Sequence, residues 1–124
     1  MVKADKRRKA ARLPKQITAA IEAANDKQAR DLVVLDLSQA AGFTDYFIIC
    51  SGTNSRQIRA IADAITEALA EAGDKPAHVE GYQRSERILL DYFDFIVHIF
   101  SPETRAFYSL ERLWGAAEIV EPGA

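Results

Sequence analysis

Apolar positions along this chain change their spacing several times, and each change marks an element. From Pro14 onward, Ile17, Ala20, Ile21 and Ala24 recur at i, i+3, i+4 and i+7, which predicts an amphipathic helix. Residues 32–37 (LVVLDL) are almost unbroken in apolar character over the length of a strand, as expected for a strand covered on both faces and central in a sheet. A loop at 38–44 containing Gly42 separates it from a second strand at 46–51. The turn at 52–55 opens the strongest helical pattern in the chain: Ile58, Ile61, Ala62, Ile65, Ala68, Leu69 and Ala72 form one continuous stripe, and Gly73 ends it. After Pro76, the short segment 77–80 returns as a strand parallel to the second, completing a strand–helix–strand crossover.

The last third carries the densest pattern. Two apolar runs, 88–90 and 95–100, are separated by only Asp91, Tyr92, Phe93 and Asp94, a gap that forces antiparallel pairing. A helix start follows at once. Ser101 can cap it, Pro102 suits the first helical position, and Glu103 complements the positive end of the dipole. Phe107, Leu110 and Trp114 recur at i, i+3 and i+7 and press one face of this helix onto the sheet, and Gly115 can end it. The predicted fold class is therefore α/β, with a mixed five-stranded sheet flanked by helices. The organisation is a basic tail over 1–13, one α/β domain over 14–117 and a short tail over 118–124.

Composition changes this picture in one respect. The formal charge of −2 hides an asymmetry: residues 1–15 hold seven basic residues against one acidic, whereas the remainder holds nine basic against seventeen acidic. The basic stretch has two readings, an arm that touches RNA phosphates or a solvated start. With 124 residues the chain makes one domain. The single cysteine, Cys50, excludes an intrachain disulfide and fits a reducing compartment. No apolar run approaches a membrane span, so no membrane partner is expected and the expected location is cytoplasmic.

Candidate chemistry is sparse. The turn at 52–55 precedes a helix N-terminus, a place where anions bind. It lacks the Lys of a phosphate-binding loop and the spaced glycines of a dinucleotide fingerprint, so capping by Thr53, Asn54 or Ser55 explains it better. A nucleotidyltransferase would place two carboxylates on the next strand, which offers only Glu80. Cys50 reads as a small buried apolar residue, Asp91 and Asp94 as turn residues, and His98 as a packed or edge histidine without a second ligand. No nucleophile–base pattern, cofactor site or metal cluster emerges, and no enzyme is expected. Arg105, Tyr108, Glu111 and Arg112 remain on the outward side of the last helix.

Five stretches taken together, DYFIICSGTNSRQ at 45–57, VEG at 79–81, LLDY at 89–92, DFIVH at 94–98 and FYSLERLW at 107–114, resemble the ribosomal silencing factor family, also called Iojap-like. The resemblance covers roughly residues 15–115. It implies a nucleotidyltransferase-like fold without the catalytic carboxylates. It also implies a translation repressor that binds the large ribosomal subunit through its ribosomal protein number fourteen and sterically blocks the small subunit. Carried onto matching positions, the partner-binding surface comprises Asp91 and Tyr108, with Arg87 and Arg105 beside them. Two positions depart from the family's pattern: Arg87 stands where the family usually has Trp, and Phe93 where it usually has Gly. A homodimer is a further partner admitted by the resemblance. Peripheral rRNA contact by the basic tail belongs with the alternative reading, an RNA-binding ribosome-assembly module.

Overall fold

A computed structural model describes residues 7–8, 13–38, 44–84, 86–103 and 118–120. The elements in order are β1 (Arg7–Arg8), α1 (Lys15–Asp26), β2 (Arg30–Asp36), β3 (Tyr46–Ser51), α2 (Ser55–Glu71), β4 (His78–Glu80), β5 (Arg87–Asp91), β6 (Phe95–Phe100) and β7 (Glu118–Val120). All strands join one mixed sheet in the order β1-β7-β2-β3-β6-β5-β4. The five strands read from the sequence form the contiguous block from β2 to β4. Two short pieces of the stretches read as tails extend it, with β7 antiparallel to β2 and β1 parallel to β7.

Residues of β3 and β6 run parallel side by side, from Tyr46 opposite Phe95 to Ser51 opposite Phe100. β5 folds back antiparallel on β6, and β4 antiparallel on β5. β4 therefore runs in the same direction as β3, as the crossover predicts, but lies at the edge of the sheet with β6 and β5 between them. The middle of the sheet belongs to β3, which pairs antiparallel with β2 on its other side, so the 32–37 run sits one place from the centre.

Alternation along the strands separates two apolar layers. On one face Val34, Ile48, Cys50, Ile88, Leu90, Phe95, Val97 and Ile99 pack with Ile17, Ala20, Ile21 and Ala24 of α1 and with Ile58, Ile61, Ala62, Ile65 and Leu69 of α2. The other face carries Leu35, Leu37, Phe47, Ile49 and Phe100, all buried. β2 is thus covered on both sides, as its unbroken apolar run requires. Pro102 and Glu103 enter a helical turn directly after Ser101. The expected packing of Phe107, Leu110 and Trp114 lies outside the described residues, as do Arg105 and Tyr108.

One turn departs from ordinary backbone geometry. Phe93 has φ +70°, a conformation that costs an L-residue about 1–2 kcal/mol and that glycine adopts freely. Its N–H donates to Asp91 Oδ1 at 2.9 Å and its carbonyl accepts from Thr44 Oγ1 at 2.8 Å, which holds the strained position between two anchors. Such a position suits the glycine that the resemblance leads one to expect there. The ring is 73% exposed, so burial offsets little of the cost. Phe93→Gly is expected to raise stability by up to about 1 kcal/mol, once the added entropy of the unfolded glycine is subtracted. A lower urea midpoint for the variant would show that the exposed ring packs after all.

Candidate functional site

Of the four residues expected to bind a partner, Arg87 and Asp91 are described, at the two ends of β5. They are four residues apart on one strand, so both project from the same face, about 13 Å from each other at the usual strand rise. Leu89 lies between them, half-buried. The register adds neighbours that sequence spacing alone did not bring in. Across β4, Glu80 stands opposite Leu89 and His78 opposite Asp91; across β6, Phe100, His98 and Ile96 stand opposite Arg87, Leu89 and Asp91.

The result is a strip with an outer polar rim and an inner apolar border. In the rim, His78 Nε2 and Glu80 Oε2 are 2.8 Å apart, and Arg87 Nη2 is 3.7 Å from Glu80 Oε1. Glu80 is held below the usual carboxylate range, first by its hydrogen bond to His78, then by the charge of His78 and more weakly by Arg87. The rim is exposed, so these pairs orient side chains more than they stabilise the fold. At the inner border His98 is 6% exposed, edge-on to Phe47 at 4.6 Å and stacked parallel to Phe100 at 6.0 Å. Neither ring nitrogen has a hydrogen-bond partner among the described residues. Burial, followed by the charge of Arg87, pushes its pKa down to about 4, so the ring is neutral at physiological pH.

Asp91 also serves the turn: its Oδ1 accepts the Phe93 N–H, in agreement with the turn reading. The Gly52 turn is likewise a cap. Asn54 Oδ1 accepts the Gln57 N–H at 2.8 Å, and Gln57 Oε1 accepts from the N–H and hydroxyl of Thr53 at 2.6 and 2.9 Å. The Gln57 amide nitrogen then donates to the carbonyls of Lys27 and Gln28, both at 3.0 Å, tying the end of α1 to the start of α2. No sequence signal marks Gln57 for this role, since nothing local indicates a bond across some thirty residues. Gly52 itself is set by a close approach: an added Cβ would lie 2.8 Å from Ile58 Cγ1.

A charged rim around a half-buried leucine, on a rigid hairpin at a sheet edge, suits recognition of another macromolecule. Cys50 is fully buried. Among the described residues no group of three or more His, Cys, Asp or Glu side chains could hold a metal ion, and no helix is long and apolar enough to cross a membrane.

Comparison with known families decides what this arrangement belongs to. The profile described as "Ribosomal silencing factor during starvation" matches residues 10–123. The chain belongs to the ribosomal silencing factor family. A ribosomal silencing factor from Halalkalibacterium halodurans is 37% identical over 102 residues, covering 82% of this chain and 87% of that relative. A crystal structure of a Chromobacterium violaceum protein superposes with a TM-score of 0.79 at 34% identity, over 82% of this chain and 84% of that one. The mouse protein named "Mitochondrial assembly of ribosomal large subunit protein 1" is 32% identical over 91 residues, which are 71% of this chain and 40% of the mouse protein. The family match runs through the β4–β5–β6 strip and through the stretch that holds Arg105 and Tyr108.

Proposed function

We propose that this chain silences ribosomes by occupying the large subunit through ribosomal protein number fourteen, so that the small subunit cannot dock. Membership of the ribosomal silencing factor family over almost the whole chain carries this reading. The strip around Leu89 supports it, since Arg87 and Asp91 share one face; Arg105 and Tyr108, which lie outside the described residues, are proposed as further contacts with the same partner. The mechanism is steric exclusion. A factor that covers a surface needed for subunit joining needs affinity alone, and a standard interface of about 800 Å² per partner supplies enough. Arg87, in the place usually held by Trp, offers a planar guanidinium on a long apolar stem, a suitable anchor in its own right. A homodimer in the free state belongs to the same proposal.

Subunit sedimentation at low magnesium tests it. Added protein is expected to comigrate with large subunits and to lower the fraction of joined ribosomes. Asp91→Ala and Tyr108→Ala are each expected to weaken that association about tenfold, as loss of an interface anchor does. Unchanged joining together with no binding to large subunits would sink the reading.

The surplus of basic residues before Lys15, together with the mouse relative's name, favours a second reading: an RNA-binding module in large-subunit assembly, with peripheral rRNA contact by the basic arm. Deleting residues 1–12 separates the two. Complete loss of binding, with a steep salt dependence in the intact protein, would favour phosphate contacts over a protein surface.

A further inference from the structure

The tip of the β5–β6 hairpin presents a side chain that the fold does not use. Phe93 is 73% exposed, whereas the other aromatics of the hairpin, Tyr92, Phe95 and Phe100, are buried. It also stands at φ +70°, a conformation in which glycine or asparagine sits more easily. Two side chains hold it there: Asp91 Oδ1 accepts its N–H at 2.9 Å, and its carbonyl accepts from Thr44 Oγ1 at 2.8 Å. Thr44 is itself buried, so the second of these bonds ties the tip to the body of the protein. An exposed ring gains little on folding, because the unfolded chain exposes it too. Backbone strain that returns no packing, yet is held in place by its surroundings, is characteristic of segments that clamp a ligand or partner.

Position gives the ring a use. The Asp91 carboxylate that accepts the Phe93 N–H is also one end of the strip proposed above to bind a partner, so the ring continues that surface round the hairpin tip. On its other side stands Asp94, exposed, whose carbonyl accepts the N–H groups of Asp45 and Tyr46 at 2.9 and 3.2 Å and so fixes this flank as well. The tip is an apolar ring between two aspartates, on a backbone tied down on both sides. Such flanks repel phosphates. An arginine or lysine side chain is drawn to the carboxylates and lays its cation or alkyl stem on the ring.

We propose that Phe93 anchors this chain to a basic protein surface of the large subunit, its ring covered by an arginine or lysine side chain of the partner that the Arg87–Asp91 strip contacts. This contact rests on the silencing reading and adds to it a residue and the chemistry that meets it. The strained turn presents the ring in its bound position before the partner arrives, which spares the ordering of a loop on association.

Cosedimentation of the full chain and its variants with purified large subunits, over a concentration series, tests it beside urea unfolding of the same proteins. Phe93→Asn suits the left-handed backbone and Phe93→Gly is free in it, so both should unfold at a midpoint no lower than the parent's. Both are expected to bind large subunits about tenfold more weakly, as loss of an aromatic anchor does. Phe93→Trp keeps an aromatic face and should bind within about twofold of the parent. Undiminished stability with reduced affinity marks a ring kept for binding. Affinities equal to the parent's overturn the proposal, and so does a lowered midpoint in both the Asn and Gly variants, which assigns the ring to the fold. An equal loss of affinity for protein-free ribosomal RNA places nucleic acid against the ring and overturns the choice of a protein partner. If the parent itself does not bind large subunits, the silencing reading falls and this contact with it; if the parent binds and the Asn and Gly variants bind as well, the contact alone falls.

Discussion

Gly81→Ala is expected to destabilise the protein by roughly 2–3 kcal/mol and to dislodge the Arg87 end of the candidate surface. Gly81 has φ +80°, and a Cβ added there would run into the carbonyl oxygen of Arg87. Two costs combine: the left-handed conformation, about 1–2 kcal/mol for alanine, and a collision with backbone that cannot rotate away. The size of the loss is limited by the cheapest escape. β4 has three residues, all exposed, and pairs only with β5, so the chain can relieve the collision by peeling β4 from the edge and leaving the core intact. Urea unfolding should therefore show a lowered midpoint with little change in cooperativity. Amide exchange should accelerate selectively across the pairs His78–Asp91 and Glu80–Leu89. Uniform acceleration throughout the sheet would show that the edge and the core unfold as one unit.

His98 makes stability depend on pH in a defined window. Its folded pKa of about 4 lies below the ordinary 6.5, so the folded state favours the neutral ring and the unfolded state takes up a proton first. The contribution is fully present above pH 6.5, is lost as pH falls towards 4, and levels off below that, for a total of about 3 kcal/mol. Exposed acids such as Glu80, whose pKa is also lowered, add to the acid limb, so the comparison must be between variants. His98→Phe keeps an aromatic ring beside Phe47 and Phe100 and is expected to flatten the unfolding free energy between pH 6.5 and 4 by that amount. Parallel pH profiles for the two proteins would show that His98 reaches solvent or a partner when protonated.

What the sequence disclosed follows from the range over which each signal acts. Period 3.6 at Ile17–Ala24 and Ile58–Leu69, and the short apolar runs of β2, β3, β5 and β6, are local and survive into the structure. The shared face of Arg87 and Asp91 follows from alternation along one strand. The joining of Glu80 and His78 to that face does not, because it depends on which strand lies beside β5 and in what register. The direction of β4 was legible from the crossover, but its place at the edge was not: the two strands that separate it from β3 come later in the chain. β1 and β7 are too short to show any period. Asn54 was one of three equally suitable caps, and only geometry selects it. The strain at Phe93 was foreshadowed by the departure noted there, Phe where the resemblance leads one to expect Gly.

The parallel pairing of β3 with β6 bears on how the molecule assembles. Tyr46 and Phe95 are neighbours in the sheet but 49 positions apart in the chain, whereas Asp91 and Ile96 close across a turn. Chain-closure entropy grows with the logarithm of loop length, so joining the centre of the sheet costs about 2 kcal/mol more than forming the hairpin beside it. The β5–β6 hairpin is therefore the natural early structure, and β3 docks onto its free edge once α2 has condensed. Refolding speed is then governed by that docking, so substitutions at Ile48 or Val97 should slow folding, while those at the β4 edge should chiefly hasten unfolding.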